Sequence, residues 1–249
     1  MSIFFAFGCS FTNYPFPTWA DLISDQFDHY ENWGKTGTGN HFHFNSLIEC
    51  HQRHNINSND TVVVCWSNTG REDRYVNRWE GAGNIYTQNL YDEQWVKRFI
   101  TERGCIIRDF AFMRSAQLLL ESLQCKFEFF STVPLFYHDE MSEYHKDSIK
   151  NQDVYELYEN LLKIVKPSYL ESIFDGKWQY QLPTGEKRDI HPSPEEHIAY
   201  IEQHTDFKIS DEMRELASKE TVRFIQEPVF RMQALGKTSP WQPKKIKRL

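Results

Sequence analysis

Paired cysteine spacing, long apolar runs and an excess of positive charge are all missing from this chain. Its five cysteines, Cys9, Cys50, Cys65, Cys105 and Cys125, are odd in number and lack the regular spacing of a disulfide framework. A reducing, cytoplasmic setting is therefore expected. No stretch approaches the roughly 18 consecutive apolar residues of a membrane-spanning helix. The opening MSIFFAFGC has no basic leader, and its apolar stretch is too short to read as a lipoprotein signal. The formal charge of -7 speaks against a nucleic-acid-binding surface over the whole molecule. Internal repeats and a domain-sized linker are also missing, so the 249 residues read as one domain over 1–235 and a basic, flexible tail over 236–249. No acidic residue follows Glu227, while Lys237, Lys244, Lys245, Lys247 and Arg248 crowd the end. That tail reads as solvated, with weak contact to a phosphate-rich or acidic partner as its alternative role.

What is present is an alternation of buried strands and amphipathic helices. IFFAFG at 3–8 and TVVVCW at 61–66 are continuous apolar runs of the buried parallel-strand kind, and KFEFFSTV at 126–133 is a third candidate. Between them, PTWADLISDQF places Trp19, Leu22, Ile23 and Phe27 at helical spacing, and a helix is expected around 40–54 after the Gly-rich NWGKTGTGN. Residues 67–90 lack periodicity and read as a surface excursion or lid, with Arg71, Glu72, Asp73 and Arg74 as a solvated charged turn. Further helices are expected over 91–123, broken near Gly104, and over 152–165, with Val154, Leu157, Leu161, Ile164 and Val165 on one face. Ser193, Pro194 and Glu196 form a capping-box start for a helix to 203, and Ser210 opens the last one, to 225. Strands alternating with helices point to an α/β fold around a parallel sheet of about five strands.

In such sheets the loops at the carboxyl ends of the strands meet in one crevice. Ser10 follows the first strand, Gly37 lies in the loop before the second helix, Asn68 lies past TVVVCW, and Asp189 and His191 precede the 193–203 helix. Acyl transfer needs a hydroxyl nucleophile, an imidazole, a carboxylate to orient it and donors for an oxyanion. Ser10, His191 and Asp189 suit the first three roles. The Ser10 and Gly37 backbone N–H groups and the Asn68 amide suit the last. Cys9 is a rival nucleophile that burial would eliminate. His41, His43, Cys50, His51 and His54 could in principle serve a metal, but helix geometry does not gather them on one face, and no metal is expected. Arg71 is a candidate to hold an anionic substrate group. The GxSxG elbow of α/β-hydrolases is missing, because Phe11 and Thr12 follow Ser10.

The blocks FGCSFT, NWGKTGTGN, VVCWSNTGRED and RDIHPSPEEH, in this order over residues 3–200, resemble the SGNH (GDSL-like) hydrolase superfamily. The resemblance is greatest to small phage and bacterial members of unassigned substrate. It implies a three-layer α/β/α, flavodoxin-like fold, Ser10 as nucleophile, Gly37 and Asn68 as oxyanion donors and His191 as base. It also implies an esterase or O-deacylase without metal or organic cofactor, acting on a small-molecule or glycan acyl ester. Three positions depart from the family pattern. Cys9 stands where Asp is usual, Asp189 is two rather than three residues before His191, and WSN lacks the usual Gly. The second departure leaves Asp175 or a backbone carbonyl as alternative partners for His191. The alternatives to hydrolysis are acyl transfer from the same site and a non-catalytic glycan binder using Trp79, Tyr86 and Trp95.

Overall fold

In a computed structural model of the chain, residues 2–86, 91–135, 151–179, 181, 185 and 187–238 are described. Four parallel strands form the central sheet: β1 (Ile3–Gly8), β2 (His29–Asn32), β3 (Thr61–Trp66) and β6 (Lys126–Ser131), in the order β2-β1-β3-β6. Beyond β6 a single parallel bridge, Phe129 to Val165, stands where the expected fifth strand would run.

The apolar runs of β1 and β3 are continuous because both faces of the sheet are covered. Phe5, Phe7, Val62, Val64 and Trp66 pack with α2 (Asn40–His54), α4 (Glu102–Ser122), α5 (Gln152–Leu157) and α6 (Glu159–Leu162). Phe4, Ala6, Val63 and Cys65 pack on the other side with α1 (Trp19–Leu22), α7 (Tyr169–Ser172), α8 (Pro194–His204) and α9 (Asp211–Gln226). This period-two division makes three layers, α/β/α. No described helix is long and apolar enough to cross a membrane.

Several boundaries differ from the sequence reading, each for a local reason. Strand β2, HYEN, carries no apolar run and was not expected; it pairs along one side of β1 only. The long helix breaks near Gly104 as expected, at Ile100 and Thr101, because the Thr101 side chain accepts the Gly104 N–H and starts α4 afresh, after α3 (Glu93–Phe99). The single helix expected over 152–165 is two short ones that end at Leu162. At Tyr158 the backbone leaves helical geometry, and Tyr155 and Tyr158 turn their rings to Phe110 at 6.0 and 5.4 Å. Leu157, expected on the buried face, is 78% exposed as a result. A short α10 (Val229–Ala234) follows α9. Most of the basic tail, 239–249, lies outside the described residues.

Gly8 ends β1 with φ 155°, and a Cβ there would lie 3.0 Å from the Cys65 carbonyl and against the Thr12 side chain. Gly8→Ala is therefore expected to cost roughly 1–3 kcal/mol, measured as a drop in denaturation midpoint. A midpoint equal to the wild type's would contradict this account of the strand end.

Candidate active site

The segment after β1 turns at once, with Thr12 N–H and Asn13 N–H donating to the Cys9 carbonyl at 3.0 and 3.1 Å. Asn32 Nδ2 and Thr18 Oγ1 donate to the Thr12 carbonyl at 2.6 and 2.7 Å, and Asn13 Nδ2 donates to the Gly34 carbonyl at 2.9 Å. Cys9 is fully buried in the apolar layer beneath α1 and α8, which eliminates it as the rival nucleophile. Ser10, its neighbour, is turned to His191, with Oγ 2.8 Å from Nε2.

His191 Nδ1 lies 2.7 Å from Asp189 Oδ1, and the His191 backbone N–H donates to the same oxygen at 3.1 Å. The two-residue spacing works because one carboxylate oxygen serves both the imidazole and the backbone of the turn. Asp175 is exposed and makes no such contact. Asp189 Oδ2 accepts the Tyr14 hydroxyl at 2.7 Å, and the Tyr14 ring stacks on the His191 ring at 4.0 Å. Burial opposes the charge of Asp189, but the hydrogen bonds from His191 and Tyr14 outweigh it and hold its pKa below the ordinary value. Nothing in the sequence marks Tyr14, since an aromatic four residues past a serine carries no spacing signal of its own. His197, in α8, is buried against the Tyr169 hydroxyl at 3.0 Å; burial and the nearby His191 charge depress it to about 3.

The three candidate oxyanion donors sit on adjoining strand ends. Lys35 N–H donates to the Gly8 carbonyl and Thr36 Oγ1 to the Asn13 carbonyl, which runs the 34–38 loop alongside the Ser10 turn. Gly37 adopts φ 80°. Asn68 follows β3, its Oδ1 accepting the Gly70 N–H at 2.6 Å. The Ser10 N–H, the Gly37 N–H and the Asn68 Nδ2 group donate to no other described residue.

Residues 71–84 correct the expectation of an irregular excursion. They form an antiparallel hairpin, β4 (Arg71–Tyr75) and β5 (Trp79–Asn84), laid on the Gly37 loop. Gly83 N–H donates to the Gly37 carbonyl at 3.2 Å, and a Cβ at Gly81 would lie 2.7 Å from that same oxygen. The supposed solvated turn is largely buried. Asp73, wholly buried, accepts Gly39 N–H at 2.8 Å and Phe42 N–H at 3.0 Å and so caps α2 from outside. Glu72 pairs with Arg74 and Arg108. Arg71 Nη1 donates to the Thr38 carbonyl at 2.8 Å, which ties it to the loop; its other guanidinium N–H groups bond to no described residue. Trp79 is committed to packing the hairpin, edge-on to His41, Phe42 and Tyr75 at 5.3, 5.6 and 5.7 Å. Tyr86 is exposed, and Trp95 stacks on Tyr91 at 5.4 Å.

Behind Asn68, Asn40 Oδ1 accepts the Ser67 N–H at 2.8 Å and its Nδ2 donates to the Ser67 carbonyl at 2.9 Å and to Asp109 Oδ2 at 2.7 Å. Asp109 is also paired with Arg108 at 2.7 Å. Burial raises Asp109 to about 7, against the pull of Arg108 and Asn40.

Of the histidine-rich helix, only Cys50 and His54 come together, with Glu31 from β2, their donor atoms within 4.8 Å of one another. Glu31 already accepts the Trp33 Nε1–H at 2.8 Å and pairs with His54 at 3.1 Å, while burial raises the Cys50 thiol well above its ordinary pKa. His43 is buried too, and burial lowers its pKa.

No protein-family model matches the chain, and no curated protein matches it. Among solved structures it is similar to Axe2, an acetylxylan esterase from Geobacillus stearothermophilus, with 12% identity over 81% of this chain and 93% of that one and a TM-score of 0.42. A mutant of Axe2, described as an acetyl-xylooligosaccharide esterase, is similar at 11% identity over 80% and 92%, with a TM-score of 0.41. These are likenesses of chain path at low identity, and the chemistry of the site rests on its own geometry.

A raised carboxyl pKa means that folding takes up a proton between the ordinary carboxylate value near 4 and the folded value. The contribution of Asp109 is complete below about pH 4 and is lost as pH rises through about 7. The melting temperature of Asp109→Asn minus that of the wild type should therefore increase from pH 4.5 to pH 8, on the order of a few degrees. A difference that stays flat or falls over this range would mean that the Arg108 pair keeps Asp109 charged throughout.

Proposed function

We propose that the chain is a serine ester hydrolase that removes a short acyl group, with an O-acyl carbohydrate as the favoured substrate class. The observation that carries this reading is the continuous line from Ser10 Oγ through both nitrogens of His191 to Asp189, at 2.8 and 2.7 Å. Both distances are those of good hydrogen bonds between a nucleophile, its base and an orienting carboxylate.

In this reading Ser10 Oγ attacks the acyl carbon while its proton passes to His191 Nε2, and Asp189 stabilises the imidazolium that results. The carbonyl oxygen becomes an oxyanion facing the Ser10 and Gly37 N–H groups and Asn68 Nδ2, which no described residue occupies. Collapse breaks the ester C–O bond, the alcohol leaves with the proton from His191, and the acyl group stays on Ser10. Water then attacks this acyl-enzyme, giving its proton to His191, and the acid leaves as Ser10 recovers its proton. The free N–H groups of Arg71 are the proposed contact for an anionic or carbonyl group of the substrate. Choice of the sugar ester follows the superfamily resemblance of the four sequence blocks.

Turnover of 4-nitrophenyl acetate and of an acetylated sugar tests the proposal. Ser10→Ala and His191→Ala should lose about 10⁴-fold or more in turnover, and Asn68→Ala about 100-fold. Product analysis with an added sugar acceptor separates transfer from hydrolysis. Full turnover in Ser10→Ala would end the proposal, and full turnover in Asn68→Ala would remove that residue from the oxyanion site.

A further inference from the structure

We infer that Tyr14 is the positioning residue of the proton relay, its hydroxyl holding one oxygen of Asp189 while its ring fixes the plane of His191. The inference builds on the proposed hydrolase reading, but it concerns a property of His191 that can be read in the resting protein.

A carboxylate held at one oxygen turns easily, because the torsion that orients it is broad and nearly two-fold. Here both oxygens of Asp189 are assigned: Oδ1 to His191, Oδ2 to the Tyr14 hydroxyl at 2.7 Å. Rotation of the carboxylate would break one bond or the other. The imidazole is restrained by the same side chain, since the Tyr14 ring lies 4.0 Å from it at 26°. The Phe11 ring approaches at 5.4 Å. An imidazolium formed against the Tyr14 ring is also favoured by the negative face of the aromatic ring.

The placement of Tyr14 makes this control economical in sequence. It lies four residues past Ser10, so the nucleophile and the clamp on its base come from one short segment. That segment is fixed from behind, because Tyr14 packs with Phe16, Phe224, Val229 and Met232, which brings α9 and α10 to bear on the site. Burial and the adjacent Asp189 charge keep the phenol protonated well beyond neutral pH, so it acts only as a donor.

The other described ionisable groups around His191 leave the role to Tyr14. His197 of α8 is buried and neutral at neutral pH. Arg188 pairs with Glu196 and donates to Gln179, and its Nε reaches the Asp189 backbone carbonyl rather than the carboxylate. Lys187 lies over the Phe230 ring at 4.8 Å. Removing the Tyr14 hydroxyl therefore removes the one side-chain donor on Oδ2 among the described residues. More negative charge is then left to the His191 bond, and the imidazolium gains.

The test is a pH titration of the His191 ring nitrogens by NMR in the wild type, Tyr14→Phe and Tyr14→Leu, beside turnover of 4-nitrophenyl acetate. Tyr14→Phe keeps the ring and the apolar cluster, and its His191 midpoint should move up by about half a pH unit or more. Tyr14→Leu should in addition lower kcat about tenfold or more while KM changes little, since orientation is lost rather than binding. An unchanged or lowered midpoint in folded Tyr14→Phe overturns the inference. If the wild type turns over no ester at all, the hydrolase reading fails, yet the midpoint comparison still decides what Tyr14 does to His191.

Discussion

The structure turns on one imidazole held at both ends. His191 bridges a serine 181 positions earlier in the chain and an aspartate two positions earlier, with both contacts under 3 Å. A shift of about half an ångström matters little to a packing contact but a good deal to a proton passed along such a line, so the supports of each end must be rigid. Ser10 is rigid because β1 is buried on both faces and the turn after it is closed by bonds to the Cys9 and Thr12 carbonyls. His191 is rigid because Ser193 caps α8, whose apolar face packs beneath the same sheet. The order β2-β1-β3 brings the loops after β1 and β3 to the switch point of a doubly wound sheet, where ligand crevices of this architecture lie.

Opposite the imidazole, the supports are polar. The Gly37 loop carries no apolar side chain that could anchor it, and its position is set by backbone and charge. Gly83 and Arg71 hold its carbonyls, Asp73 holds Gly39 and the start of α2, and the close approach of Gly81 leaves no room for drift. Asn40 then pairs with both backbone groups of Ser67 and is held in turn by Asp109, so the two loops that bear Gly37 and Asn68 are joined through one buried amide. Burying carboxylates this way is costly unless every oxygen finds a donor. The raised pKa values of Asp73 and Asp109 are the trace of that cost.

Much of this was legible in the sequence where a residue's own chemistry forced its place. The apolar runs 3–8 and 61–66, the helix over 40–54 and the Ser193 capping box emerge with nearly the expected bounds, because burial and capping are local signals. Ser10 comes together with Asp189 and His191, as its place after the first strand and theirs in the loop before the 193–203 helix implied. The hairpin was illegible. REDRY reads as a solvated turn because its burial depends on partners far along the chain: the helix start at Gly39 and Phe42, and Arg108. Strand β2 escaped notice for a related reason, since an edge strand needs no apolar run. Tyr14 escaped because its role exists only once Asp189, 175 positions away, is beside it.

The central claim is that Ser10 is an activated nucleophile, and intact-mass labelling with a fluorophosphonate tests it most directly. The account predicts a single adduct on the wild-type protein, mapped to Ser10 and lost in both Ser10→Ala and His191→Ala. A folded wild type that takes no label, or a label that persists in Ser10→Ala, would contradict it.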